Sequence, residues 1–224
     1  MHALIVLTSH DRLGDSDRKT GACLESFAHG YYACVDAGFE VTICSPLGGQ
    51  APIDTLCNCR PPVSGVLQRF QADRTAREDF SDALTLPQVC AADFSAVYFA
   101  EGAGALWDLA NDQAAQSLIL RLHELRCVCA FVGHGTAALL HVRGPDSVPL
   151  VKGRTITAPS RTEDENYGLP ADAPWLEREF ASLGASCLAG PDGGPHLVQD
   201  GKWITGQNAA SSAVVARALV LAAT

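Results

Sequence analysis

Histidine and carboxylate side chains recur just after apolar segments of this 224-residue chain. His10 follows the first such segment, Glu101 follows SAVYFA, His134 comes soon after CVCAFV, and an acidic run stands at 163–165. A histidine titrates near neutral pH, and a carboxylate beside it shifts that titration, so such pairs serve as general acids and bases. The residue types therefore point to proton-transfer chemistry, provided that the fold brings them together.

Short apolar runs typical of buried strands alternate with helical patterns, as in a parallel sheet with helical crossovers. Strands are predicted at residues 2–8, 40–44, 95–100, 127–132 and 154–157, and helices at 20–37, 112–125 and 135–142. A hairpin turning at Asp200-Gly201 and an apolar helix from Asn208 follow near the end. The predicted fold class is α/β, a doubly wound and mostly parallel sheet with helices on both faces.

Proline, glycine and charged residues interrupt this alternation around 45–90. We interpret the interruption as a loop-rich insertion within one domain spanning 1–224. Ligands of open α/β sheets bind beyond the carboxyl ends of the strands, near the point where strand order reverses. The loops of His10, Glu101 and His134 begin at such ends, so a shared pocket is expected there. His10 either lines this pocket or forms a turn.

The charge balance excludes some functions. The chain has 16 basic and 25 acidic residues, a formal net charge of −9. Because no basic cluster appears, neither nucleic acid nor a membrane surface is an expected partner. The opening segment becomes polar too soon for an export signal, so a cytoplasmic location is expected.

The nine cysteines lie mostly in apolar surroundings, and their odd number argues against a complete disulfide framework. Without an export signal we expect reduced thiols, with Cys23 a buried structural one. Cys57 and Cys59 are a close pair, but their spacing differs from that of a zinc site. We therefore predict no metal and no cofactor.

Several segments resemble the glyoxalase III and stress-chaperone subgroup of the ThiJ/PfpI superfamily, which is class I glutamine amidotransferase-like. They follow the family's order over nearly the whole chain: TSHDRLGDSDRKTG at 8–21, DAGFEVTICSPLGGQAPID at 36–54, WDL at 107–109, LVKGRTIT at 150–157 and ITGQNAASS at 204–212. The resemblance implies a flavodoxin-like fold and a homodimer.

In that family the nucleophile is a cysteine at a strand-to-helix elbow, followed by a histidine that an acidic residue supports. A thiolate there has a lowered pKa, and backbone N–H groups hold an oxyanion. Here the elbow reads FVGHGTAA, so Gly133 aligns with the cysteine, followed by His134 and Gly135. Asp164 aligns with the acidic residue. Cysteine-dependent glyoxalase, deglycase or protease activity is therefore predicted absent, although the elbow should tolerate Gly133→Cys.

The family's glutamate on the first helix aligns with Ser26 in a gapless count, one position beyond Glu25. One position is ~100° around a helix, so Ser26 is expected in the pocket, and a one-residue shift would bring Glu25 back. The family's glycine-rich loop reads EGAG here, which places Gly102 in the pocket and adds the carboxylate of Glu101.

Alternatives stay open for the candidate acid–base residues. His134 and Asp164 form either a satisfied polar pair or a tuned general acid or base. Glu101 points either to solvent or a dimer partner, or faces His134 as its acid–base partner.

The sequence favours a stress-related binding or holdase-type protein that keeps a small-molecule pocket for an unidentified ligand. The alternative is a cysteine-independent hydratase, lyase or hydrolase acting on a small carbonyl compound, with Glu101 and His134 as its acid–base pair. The first is favoured because the nucleophile and its proton partner are both missing.

Overall fold

The computed structural model describes residues 1–56 and 63–224, in which the chain forms nine strands and seven α-helices. The strands are β1 (His2–Val6), β2 (Glu40–Ser45), β3 (Leu84–Thr85), β4 (Ala96–Phe99), β5 (Val128–Val132), β6 (Thr155–Ile156), β7 (Ser186–Cys187), β8 (Leu197–Asp200) and β9 (Trp203–Gly206). The helices are α1 (Leu24–Asp36), α2 (Gly65–Ala72), α3 (Arg74–Ser81), α4 (Gln113–Glu124), α5 (Arg161–Tyr167), α6 (Leu176–Ser182) and α7 (Ser212–Ala223).

Seven of these strands form one sheet in the order β3-β2-β1-β4-β5-β9-β8. All neighbours are parallel except β8, which pairs antiparallel with β9. The chain runs outward from β1 to β3 and then returns to the other side of β1 with β4, so strand order reverses between β1 and β4. This arrangement confirms the predicted flavodoxin-like α/β fold.

The central strands are buried on both faces, because their apolar side chains follow one another without alternation. On one face α1, α2, α3 and α7 pack apolar side chains around Phe27 and Tyr98. On the other face α4 and α6 contribute Ile119, Leu122 and Phe180 to a second apolar layer. None of the helices in residues 1–56 and 63–224 is long and apolar enough to cross a membrane.

The first four predicted strands and the Asp200-Gly201 hairpin are confirmed, and a strand also forms within 154–157, although it lies outside the seven-stranded sheet. That segment gives the two-residue β6, which pairs with β7 in a separate small sheet. Beyond β6, the N–H of Thr157 donates to the side chain of Thr205 on β9 at 2.9 Å, so a side chain replaces a strand ladder there. The predicted helix at 135–142 is a 3₁₀ turn over Gly133–Leu139.

The segment 45–90, predicted to be loop-rich, contains α2 and α3 in its described part. Phe70 on α2 and Phe80 on α3 both pack edge-on against Phe27 of α1. The carboxylate of Asp73 accepts the N–H of Ala76 and so caps α3. These helices therefore extend the apolar layer beside α1.

The cysteines differ in part from the sequence expectation. Cys23 is disulfide-bonded, so the prediction of a reduced thiol at this position is wrong. A sequence does not reveal which thiols meet in space, whereas the folded chain does. Cys57 and Cys59 lie outside the described residues.

Gly30 marks the closest approach of α1 to the sheet. A Cβ at this position would lie 2.7 Å from the ring of Tyr98 on β4, which is fully buried. Gly30→Ala is expected to lower the free energy of unfolding by about 1–3 kcal/mol, although alanine favours a helix. Urea unfolding measures this change, with Gly65→Ala as a control because a Cβ there meets nothing within 4 Å. Equal stability of the two variants would contradict this packing.

Candidate functional site

Two neighbouring strand ends bring Glu101 and His134 together. Phe99 on β4 pairs with Phe131 on β5, and the two candidate residues follow these positions at the carboxyl edge of the sheet. This edge lies beside the reversal of strand order between β1 and β4, where the fold class predicts a ligand site. Asp164 reaches the same place from α5.

The carboxylate of Glu101 is buried, with 7% of the residue exposed, so the solvent-directed alternative does not describe it. Its Oε1 atom accepts the backbone N–H groups of Gly102 at 3.0 Å and of His134 at 3.1 Å. The same oxygen lies 2.7 Å from Nδ1 of His134. Oε1 is thus held by three donors on two loops.

The imidazole of His134 bridges two carboxylates. Nδ1 faces Glu101, and Nε2 lies 2.9 Å from Oδ1 of Asp164. Burial on its own would lower the pKa of His134, but the charge of Glu101 and the hydrogen bonds to Asp164 and Glu101 raise it to about 10. At neutral pH the ring is therefore an imidazolium that donates from both nitrogens.

Gly133 lies against the carboxylate of Glu101. Its φ is +52°, in the left-handed region that glycine occupies without strain. A Cβ built on Gly133 would stand 1.2 Å from Oε2 of Glu101. The expectation that Gly133→Cys is tolerated is therefore wrong for the single substitution, because the buried carboxylate fills the space of the new side chain.

Ser26 on α1 forms a hydrogen bond with the backbone of Glu101. Its Oγ accepts the backbone N–H of Glu101 at 3.1 Å and lies 3.1 Å from the hydroxyl of Tyr98. Ser26 is fully buried, whereas Glu25 is half-buried. The gapless count therefore describes the helix correctly, in that Ser26 contacts the Glu101 loop.

A cavity of about 420 Å³ opens above these groups. Its described lining consists of Asp54, Glu101, His134, Pro159, Glu163, Asn166, Tyr167, Asp192, Gly193, Asn208, Ala209 and Ala210. Glu101 and His134 lie on this wall as predicted.

Five residues predicted to line the pocket are not part of its described lining. Ser26, Gly102 and Gly133 contact Glu101 without forming the cavity wall. Gly135 lies so close to the end of β4 that a Cβ would be 2.6 Å from the carbonyl of Ala100. His10 stacks on Trp107, with 5.4 Å between ring centroids, because its loop turns toward that side.

A second buried acid–hydroxyl contact forms one wall of the cavity and was missed from the sequence. The hydroxyl of Tyr167 donates to Asp54 and lies 3.2 Å from Oγ1 of Thr20. Burial and the carboxylate of Asp54 raise the pKa of Tyr167. The available signal was helical spacing, since Tyr167 follows Asp164 by three positions and shares its face of α5.

Glu163 fixes the start of α5 and was also missed. Its Oε1 accepts from the N–H of Gly193 at 2.7 Å and from the amide of Asn208 at 2.6 Å. Its Oε2 accepts from the N–H of Ser160 at 3.0 Å and from the amide of Gln207 at 3.1 Å. The Ser-x-x-Glu spacing that opens this helix is a capping box readable in the sequence. This network holds the helix that presents Asp164 to the site.

The arrangement offers hydrogen-bond acceptors more than proton donors. Both N–H groups of His134 point to carboxylates, so no ring proton faces the cavity. Among residues 1–56 and 63–224 no group of three or more histidine, cysteine or acidic side chains is placed to hold a metal. What remains for a ligand is the second oxygen of Glu101 and the polar rim.

The charge on His134 should appear in the pH dependence of stability. Because the folded pKa of about 10 exceeds the ordinary 6.5, the imidazolium stabilises the fold fully below pH 6.5, and this contribution is lost as the pH rises toward 10. Between about pH 7 and 8.5 the free energy of unfolding should fall by about 1.4 kcal/mol per pH unit. Urea unfolding of the protein and of His134→Gln measures the slope. Equal slopes in the two proteins would refute the assignment.

Comparison with known proteins gives relatives but no matching family model. The chain is 29% identical over 195 residues to glutamine amidotransferase-like class 1 domain-containing protein 1 of Bos taurus, across 86% of this chain and 84% of the relative. Rapid Encystment Protein 24 kDa of Francisella tularensis superposes over 100% of both chains with a TM-score of 0.94 and 29% identity.

Glyoxalase III from Candida albicans has the same fold. It superposes with a TM-score of 0.89 at 21% identity, over 99% of this chain and 97% of that protein. These similarities confirm the resemblance predicted from the sequence. The chain is therefore similar in sequence to glutamine amidotransferase-like class 1 domain-containing proteins, and it shares its fold with glyoxalase III and with ThiJ/PfpI domain structures.

Proposed function

We propose that this chain is a small-molecule-binding protein in which the carboxylate of Glu101 has taken the place of a cysteine nucleophile, so that thiolate chemistry is absent. The observation that carries the proposal is the position of that carboxylate. Oε2 lies 1.2 Å from the Cβ position of Gly133, while Oε1 accepts two backbone N–H groups.

The backbone N–H groups of Gly102 and His134 occupy the place where a strand-to-helix elbow commonly forms an oxyanion hole. A pair of backbone donors at a strand-to-helix elbow stabilises an oxyanion that develops during acyl or carbonyl chemistry. Here the N–H groups of Gly102 and His134 converge on a carboxylate oxygen of the protein itself, Oε1 of Glu101. A reacting carbonyl would have to displace this charge before it could use the donors, which supports a binding function.

The acid–base alternative has less support. A hydratase or lyase needs a group that gives a proton to the substrate and takes one back. His134 directs its two N–H groups to Glu101 and Asp164, and its raised pKa of about 10 makes it a poor donor at neutral pH. Glu101 could act as a base through Oε2, but it would work without an acid partner in the ring.

A holdase-type stress role and a homodimer belong to the same proposal. Both need exposed apolar side chains to contact a client or a second copy. Leu47 is 77% exposed and Leu56 is 48% exposed, in the segment that follows β2. These side chains support such contacts, and the cytoplasmic location stays a prediction from the sequence.

The first test asks whether the chain turns over a small carbonyl compound. Incubated with methylglyoxal in the absence of glutathione, the purified protein is expected to form no lactate above the rate in buffer, because there is no thiolate to add to the aldehyde. Cys23 is disulfide-bonded and Cys44 is fully buried, so neither is expected to replace it. Lactate formation at a rate within about tenfold of a cysteine-bearing relative would overturn the proposal.

The second test rebuilds the nucleophile. Gly133→Cys alone should be destabilised and react slowly with iodoacetamide, since Glu101 blocks the new side chain. Gly133→Cys combined with Glu101→Gly frees both the space and the N–H donors, so the introduced thiol should react about tenfold faster than in the single variant. Cys90, an exposed free thiol, gives the internal reference rate. If both variants react at the rate of Cys90, Gly133 is not the nucleophile position.

A further inference from the structure

We infer that the cavity selects a small organic cation, an alkylammonium whose N–H donates to Oε2 of Glu101. This inference rests on the proposed binding function and names the class of ligand for the same site. It is carried by the charge of the described lining and by one carboxylate oxygen at the cavity that accepts no hydrogen bond from the described residues.

The described lining of the cavity is acidic. Glu101, Glu163 and Asp192 contribute carboxylates, and the described lining contains neither lysine nor arginine. The positive charge of His134 is directed to Glu101 and Asp164, which leaves that triad with a net negative charge. The potential in such a cleft repels anions and concentrates cations.

The second observation is the state of Glu101. The side chain is 9% exposed, and its Oε1 is saturated by three donors. Oε2 accepts no hydrogen bond from any residue in 1–56 or 63–224, although Glu101 lines the cavity. A carboxylate oxygen on the cavity wall keeps its lone pairs for a ligand, and a charged ligand N–H there would form a charge-assisted hydrogen bond.

The apolar part of the cavity wall indicates what the uncharged part of the ligand is like. Pro159, Ala209 and Ala210 provide an apolar surface for a short alkyl chain. A cavity of about 420 Å³ holds far more than one ion, and the described residues include no cluster of three metal ligands. An organic cation therefore fits the site better than a metal ion does.

The test compares four probes of similar length, namely n-butylammonium, n-butylguanidinium, butyramide and butyrate. Isothermal titration of the wild-type protein should show both cations binding at least about tenfold more tightly than butyramide, with no saturable binding of butyrate. Glu101→Gln should weaken n-butylammonium binding about tenfold. Glu40→Gln, with an 82% exposed side chain at the start of β2, is the matched control and should change nothing.

Several results would overturn the inference. These are equal affinity for n-butylammonium and butyramide, tighter binding of butyrate, no binding of any probe, or unchanged affinity in a folded Glu101→Gln. The probe series on the wild-type protein decides the question even if that variant does not fold. Lactate formation from methylglyoxal would refute the proposed function separately, since it leaves the measured preference for cations in place.

Discussion

A buried imidazolium held between two carboxylates is the interaction on which the site depends. Taking any one of these charges out of water costs several kcal/mol, and only mutual pairing with good hydrogen bonds offsets that cost. Glu101 and Asp164 lie within 2.9 Å of the two nitrogens of His134, so each charge has a partner of opposite sign and the triad keeps one net negative charge. Loss of His134 would leave two buried carboxylates without a cation, and loss of either carboxylate would leave the ring with one partner. The triad therefore links the loop after β4, the turn after β5 and helix α5.

The sheet and the elements around it place these three side chains next to one another. Parallel pairing of β4 with β5 sets Glu101 beside His134. The hydroxyl of Ser26 on α1 accepts the backbone N–H of Glu101 and so holds that loop in place. Glu163 caps α5 and bonds to the Asn208 segment, so that Asp164 meets the ring from the other side. Because Glu101 fills the space beside Gly133, this position of the glutamate side chain is compatible with glycine at 133 and not with a larger residue.

The sequence was sufficient for the sheet, because unbroken apolar runs and helical spacing specify a parallel α/β fold whatever the details of its loops. It was also sufficient to name Glu101 and His134, since strand ends converge at one edge, while Asp164 was named from the family resemblance. It could not show that Oε1 of Glu101 takes the backbone donors, because that depends on a side-chain rotamer. The partnership of Tyr167 with Asp54 joins positions far apart in the chain, and no local pattern reports it.

The protonation state of His134 tests the central claim most directly. A long-range ¹H–¹⁵N NMR spectrum at about pH 8 distinguishes an imidazolium from either neutral tautomer. The account predicts that both ring nitrogens of His134 are protonated in the wild-type protein, and that the pKa of the ring falls in Glu101→Gln because one of its two carboxylate partners is lost. A neutral ring at this pH in the wild-type protein would contradict the account.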